Sequence, residues 1–335
     1  MKKVLYSIFI IGLITLAACG SNDSSGESQE EPEDTGAGSD TYTIGATQIV
    51  EHPSLDEAYN GFQEALEDAG LDVEYDFNSA QGDQNNVGPI AGNFVADNVD
   101  LIFANSTPSA LGAQQQTNDI PIVFTSVTDA VEAGLVDSMD EAGENITGVL
   151  DLHPESIEQT VEFIDTYFEG ANVGLIYNAG EQNSVVQVES VQEAAGETSL
   201  SISERTVANS SEVQQAAESL VGEADVFFIV TDNTVVSALE SVVGVAESQG
   251  IPLVVGEPDS LARGGFATFG INYHSIGYRS GEMAAEILTG EKTTKDFPVE
   301  NPEEIQLFIN REAAENQGIE WNEEWDDLAE FVEMD

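Results

Sequence analysis

Four carboxylates in the second half of the chain, Glu181, Asp232, Glu257 and Asp259, follow shortly after apolar runs, where buried strands would end. In the first half the corresponding places carry hydroxyls: Ser106 and Thr107, then Ser126 and Thr128. Carboxylates accept hydrogen bonds and oppose positive charge, so the acids suit an ammonium. Hydroxyls at helix starts, with the unpaired N–H groups found there, suit a carboxylate or another anion. A ligand carrying both groups, an amino acid, would satisfy the two halves together and draw them shut. Thr47, Gln48, His52, Asn105, Asn178, Asn183, Ser184 and Asn233 complete this polar set. Structural readings stand beside the functional ones. Asn105 and Asn233 suit helix caps, Asp232 a solvated loop, His52 a turn before Pro53, and Arg263 a surface turn beside Gly264-Gly265. Tyr59, Phe103, Phe124, Tyr177 and Phe269 suit a side-chain pocket or ordinary core.

The elements that must position these residues come in two similar sets. The pattern Asn-Ser/Thr-x-x-Ser-Ala-Leu occurs at Asn105–Leu111 and returns at Asn233–Leu239. Each copy follows an apolar run and precedes an Ile-Pro strand, Ile120-Pro121 and then Ile251-Pro252, at an offset of about 130 residues. An ordered series of matches at one offset implies two related lobes. In the first, strands are expected at Thr43–Val50, Leu71–Phe77, Leu101–Ala104, Ile120–Phe124 and Ile146–Leu150. The helical period of Leu55, Ala58, Tyr59, Phe62, Ala65, Leu66 and Ala69 fills the first gap. Ser54 would cap it, with Glu57 completing a capping box and Gly70 ending it. The second lobe repeats this order: strands at Ala171–Tyr177, Leu200–Val207, Val226–Val230, Pro252–Val255 and Phe266–Ile271, with helices at Asn183–Ala195, Ser211–Val221 and Thr234–Gln249. A helix over His274–Leu288 and a strand over Ile305–Ile309 follow. The fold class is α/β: two Rossmann-like lobes, each a parallel sheet flanked by helices. Ligands of such sheets bind at the carboxyl ends of the strands, which is where the polar candidates of the two lobes fall.

Composition narrows the partners. The 335 residues include 63 acidic and 8 basic side chains, a net charge of −55. Nucleic acid and anionic membrane surfaces need a cationic face, so both are poor partners and no nucleic acid is expected. The acidity fits a surface adapted to high salt or to alkaline surroundings. One cysteine, Cys19, allows no intrachain disulfide and no cysteine-built metal site. The three histidines, His52, His153 and His274, share no metal-ligand spacing. There is no dinucleotide fingerprint, no phosphate-binding P-loop and no Gly-x-Ser-x-Gly elbow. Binding without catalysis, metal or cofactor is the expectation, by a monomer.

Two resemblances sharpen it. Met1-Lys2-Lys3, the apolar run Val4–Leu16 and Leu16-Ala17-Ala18-Cys19 resemble a bacterial lipoprotein signal, cleaved before Cys19. That implies a leader over 1–18, a lipid on Cys19 that holds the protein to the cell membrane, and a disordered acidic tether over 19–41. The runs Ile44–Asp56, Ile122–Ala130, Asn145–Gly148, and Gly270–Tyr273 with Gly277-Tyr278 resemble the tryptophan-binding (TrpX-like) substrate-binding lipoproteins of ABC transporters. The likeness runs from about Tyr42 to about Gly318. It implies a type I periplasmic-binding-protein fold, an aromatic amino acid as ligand, and an ABC permease with its ATPase as partners; a ligand sensor of the same fold is the alternative. It also implies three crossings between lobes, near Leu150, Asn272 and Glu300. The lobes are then 42–150 with 273–300, and 151–272 with 301–335.

Overall fold

The computed structural model describes residues 41–141 and 143–333; the expected leader, lipidated Cys19 and tether lie outside them. The first sheet is built from β1 (Tyr42–Gln48), β2 (Val73–Ser79), β3 (Leu101–Asn105), β4 (Ile122–Val127) and β5 (Ile146–Leu150), in the order β2-β1-β3-β4-β5 and parallel throughout. Helices α1 (Pro53–Asp68), α2 (Gln84–Asp97) and α3 (Thr107–Gln116) make the crossovers. Strands β3 and β4 are buried along their whole length, because helices cover both faces.

The second lobe opens with α4 (Ser156–Tyr167) and runs β6 (Asn172–Tyr177), α5 (Gln182–Ala195), β7 (Ser201–Thr206), α6 (Val213–Leu220) and β8 (Val226–Ile229). It continues with α7 (Asn233–Val236), α8 (Leu239–Gln249), β9 (Leu253–Val255), α9 (Asp259–Ala262) and β10 (Ala267–Gly270). After α10 (Tyr273–Leu288) come β11 (Gln306–Asn310), α11 (Arg311–Asn316), α12 (Trp325–Leu328) and β12 (Glu330–Val332). The sheet order is β12-β11-β10-β9-β8-β6-β7, and β10 and β11 are antiparallel, an exception to the all-parallel expectation. Trp325 is buried in the core of this lobe and anchors the terminal segment.

The chain passes between the sheets three times: after β5, between β10 and α10, and between Glu300 and β11. At the last of these Glu300 lies alongside β5, its backbone bonded to Gly148 and Leu150. Helix α10 packs on α1 of the first lobe, and its Ser280 hydroxyl donates to the Phe124 carbonyl of β4. Tyr59 and Phe62 of α1 stack on Phe103 of β3, so Tyr59 and Phe103 serve the core, and Tyr59 also stacks on the exposed Phe77.

Three local expectations change. Ser54 does not cap α1: His52 holds the cap position without a side-chain bond, and Pro53 follows. Gly70 takes a left-handed φ of 74° just past the helix end, as its lack of a side chain allows. The helix expected over Thr234–Gln249 breaks at Ser237-Ala238, because the Arg263 guanidinium takes the Val236 carbonyl at 2.9 Å. Arg263 therefore holds a helix end and a Glu240 ion pair rather than marking a bare surface turn.

The α1–α10 contact rests on glycine. A Cβ at Gly277 would stand 1.9 Å from the Ala58 carbonyl oxygen, and one at Gly61 would stand 2.1 Å from that of His274. Gly277→Ala should push the helices apart and cost about 1–3 kcal/mol. The check is urea unfolding, where the midpoint should fall with little change in slope.

Candidate functional site

The carboxyl ends of both sheets face one seam. There His52, Leu55, Ser126 and Thr128 of the first lobe meet Asn183, Thr231, Asp232, Asn233, Val236 and Glu257 of the second, with Asp151 and Tyr273 at two of the crossings. The cavity volume is only about 20 Å³. The lobes have met closely, with room for one or two waters.

Two backbone irregularities shape the first-lobe wall. Strand β4 shifts register between Phe124 and Val127, and Ser126 takes a left-handed φ of 56°. A bulge of this kind re-aims a side chain, and here the Ser126 hydroxyl donates to Asn105 Oδ1 at 2.7 Å. Ser106 has φ 146° and ψ 160°, a region normally left to glycine, and caps α3 through Ser109.

Seven of the sixteen residues expected from sequence line the cavity: His52, Ser126, Thr128, Asn183, Asp232, Asn233 and Glu257. The other nine do not, and each has a local reason. Gln48 is fully buried and bridges Asp56 and Asn105. Asn105 ends β3 and donates to the Leu55 carbonyl at 2.7 Å, so it holds α1 and caps nothing. Thr47 is buried in β1, and Thr107 donates nothing to the cavity, its Oγ1 accepting from the Thr128 N–H. Ser106 is the α3 cap; Asn178 donates to Thr234, and Ser184 stands buried beside Asp232. Asp259 opens onto a neighbouring cavity with Glu57, Pro258 and Tyr273.

Glu181 stands behind the cavity wall rather than in it. One carboxylate oxygen accepts from the backbone and side-chain nitrogens of Asn233, the other from the backbone and hydroxyl of Thr234. Both oxygens are committed to the start of α7, where negative charge is favoured. Asp232 caps the same helix through Val235 and accepts from the Asn178 N–H at 2.6 Å. The repeated Asn pattern hides this difference: in the second lobe the cap precedes the Asn, in the first it follows.

Five cavity residues were not among the sixteen: Leu55, Thr231, Val236 and, the two that titrate, Asp151 and Tyr273. The Tyr273 hydroxyl donates to Asp151 Oδ2 at 3.1 Å, and Thr128 Oγ1 lies 3.4 Å from Oδ1. Burial raises the Asp151 carboxyl to about 6, against the pull of those two donors. Burial, then the charge of Glu181, also raises Asp232. His52 moves the other way, down to about 4, through burial and then the charge of Arg263. It is therefore neutral at ordinary pH. Asn183 Oδ1 is buried without a partner, since its amide nitrogen donates to the Thr231 carbonyl. The cavity thus gathers three carboxylates and an unpaired acceptor. Among the described residues no group of His, Cys, Asp and Glu is placed to hold a metal ion.

The chain matches the family model for ABC transporter substrate binding proteins over residues 43–332. It is 42% identical over 318 residues to the tyrosine-binding protein of Clostridioides difficile, covering 93% of this chain and 91% of that one. A Streptococcus pneumonia ABC domain solved in complex with L-Trp is 30% identical, with a TM-score of 0.82 over 87% of this chain and 99% of that one. A ligand-free, open substrate-binding protein with adhesive properties from Clostridium difficile is more similar in sequence, at 37%, yet has a TM-score of 0.65 over 88% and 100%. The arrangement of the lobes here is nearer to the complex than to the open form. The architecture is that of type I periplasmic binding proteins, and the chain belongs to the ABC transporter substrate-binding protein family, whose members bind small solutes outside the cytoplasm.

Proposed function

We propose that this protein captures an aromatic amino acid of the tyrosine and tryptophan class in the seam and delivers it to an ABC permease. The observation that carries the reading is the acceptor cluster of Asp151, Asp232, Glu257 and Asn183 Oδ1 on one cavity. Buried carboxylates are costly unless a cation meets them, and an α-ammonium is a cation of the right size. On binding, the Ser126 and Thr128 hydroxyls would turn from Asn105 and Asp151 to donate to the carboxylate. Leu55 and Val236 give an apolar wall, with the rings of Tyr273 and His52 nearby. Tyrosine binding by the 42% identical relative and the L-Trp complex support the aromatic class. The cavity as it stands holds only one or two waters, so binding requires the lobes to part for entry and the lining side chains to rearrange around the ligand.

The protein binds and releases this ligand without altering it. In the same reading, Cys19 carries a lipid that tethers a monomer to the outer face of the cell membrane, and the acidic surface suits salty or alkaline surroundings. The permease and its ATPase are then the partners in that membrane.

Titration calorimetry of the full chain with tyrosine, tryptophan and phenylalanine should show binding of at least one. Silence from all three in folded protein would sink the aromatic assignment. Asp151→Asn, which keeps the shape and removes the charge, should weaken binding roughly 10- to 100-fold.

The same cavity predicts proton release. A bound ammonium favours the ionised form of Asp151, lowering a carboxyl that stands at about 6 in the free protein. Below that value the free protein holds a proton that binding must expel, so affinity should rise from about pH 5 to about pH 7 and then level off. Calorimetry in buffers of different ionisation enthalpy should find protons released near about pH 5–6 and few near about pH 8.

A further inference from the structure

Ser54 has a place in the fold that neither helix capping nor lining of the seam cavity explains. It lies in the first turn of α1, fully buried, and does not line the seam cavity. Its hydroxyl donates across the cleft to Glu257 Oε2 at 2.5 Å, a length typical of a hydroxyl bound to a carboxylate. On its own lobe Glu257 is held separately: the backbone N–H and hydroxyl of Ser260 both donate to it. The Ser54 bond is therefore an addition made only when the lobes meet.

What makes the bond matter is the state of the helix that offers it. The cap residue of α1, His52, supplies no side-chain acceptor, and Pro53 follows it. The N-terminus of a helix of this length favours negative charge; Asp56 supplies one acid in the first turn, and the cap supplies none. Closure brings Glu257 to that end, with Asp259 beside the same hydroxyl. Each side completes the other: the helix start gains an anion, and a buried acid gains a donor.

We propose that Ser54 is a positioning residue for closure. Its bond to Glu257 sets how long the lobes stay shut, and so how long a ligand is held, while Ser54 itself does not touch the ligand. The role deepens the receptor reading, and only the part concerning retention of a ligand rests on it.

The test is single-molecule distance measurement on the full chain, with dyes on Glu74→Cys of β2 and Gln214→Cys of α6, both exposed, and Cys19→Ser to keep labelling specific. The native sequence at Ser54 should show a short-distance population without ligand that grows with tyrosine. Ser54→Ala should lower the closed-to-open ratio roughly 10- to 100-fold in both conditions, and raise the tyrosine off-rate by a similar factor. Glu257→Gln, which keeps an acceptor but loses the charge, should lower the ratio less. A Ser54→Ala ratio equal to that of the native residue overturns the proposal, as does a native chain with no closed population in either condition. If tyrosine, tryptophan and phenylalanine leave the ratio unchanged while Ser54→Ala still lowers it, the latch stands and the ligand assignment fails.

Discussion

Burying carboxylates at the meeting of two lobes is the constraint on which the rest of this structure depends. An ionised acid taken out of water costs several kcal/mol unless donors or cations replace its hydration. This chain places Glu181, Asp232, Glu257 and Asp151 at or behind one seam. Each has a different compensation. Glu181 and Asp232 face the start of α7, Glu257 has Ser260 and the opposite lobe, and Asp151 has Tyr273 and Thr128. The donors are almost all backbone N–H groups and hydroxyls, which carry no full charge.

Cations are scarce because they are used elsewhere. Every described Lys and Arg lies in an ion pair: Arg205 with Glu223, Arg263 with Glu240, Arg279 with Glu282 and Glu300, Lys292 with Glu286, Lys295 with Glu144, and Arg311 with Asp326. Pairs this exposed contribute little each. Arg263 reaches furthest toward the seam, near enough to depress His52, yet its guanidinium is held by Glu240 and the Val236 carbonyl. Among the described residues, no Lys or Arg is left outside an ion pair to face the seam acids.

The geometry also separates two duties that look alike in sequence. Glu181 has both oxygens occupied at the helix start and leaves the cavity to others, whereas Asp232 caps the same helix and still lines the cavity. Acids that face the cavity retain capacity: Asp151 is met by hydroxyls alone. Because Asp151 follows β5 and Tyr273 opens α10, their hydrogen bond ties two crossings together at the cavity floor. A charge placed there acts on the residues about which the lobes turn.

Periodicity alone made the two-lobed α/β fold legible, because strand and helix patterns are local and the duplicated motif marks both lobes. The strand ends were legible too, and with them seven of the twelve cavity residues. Sequence could not separate Glu181 from Glu257: both are acids after strands, and only the tertiary arrangement shows which one meets Asn233 and Thr234 and which meets Ser54. Nor could it find Asp151, whose neighbour Tyr273 lies far along the chain, or see that Ser54 serves the opposite lobe instead of its own helix. The sequence by itself determined the elements, their order and the polar character of the strand ends. The meeting of the lobes decided which polar groups are spent on backbone and which remain for a ligand, since a carboxylate's free capacity depends on what stands within about 3 Å of it in space.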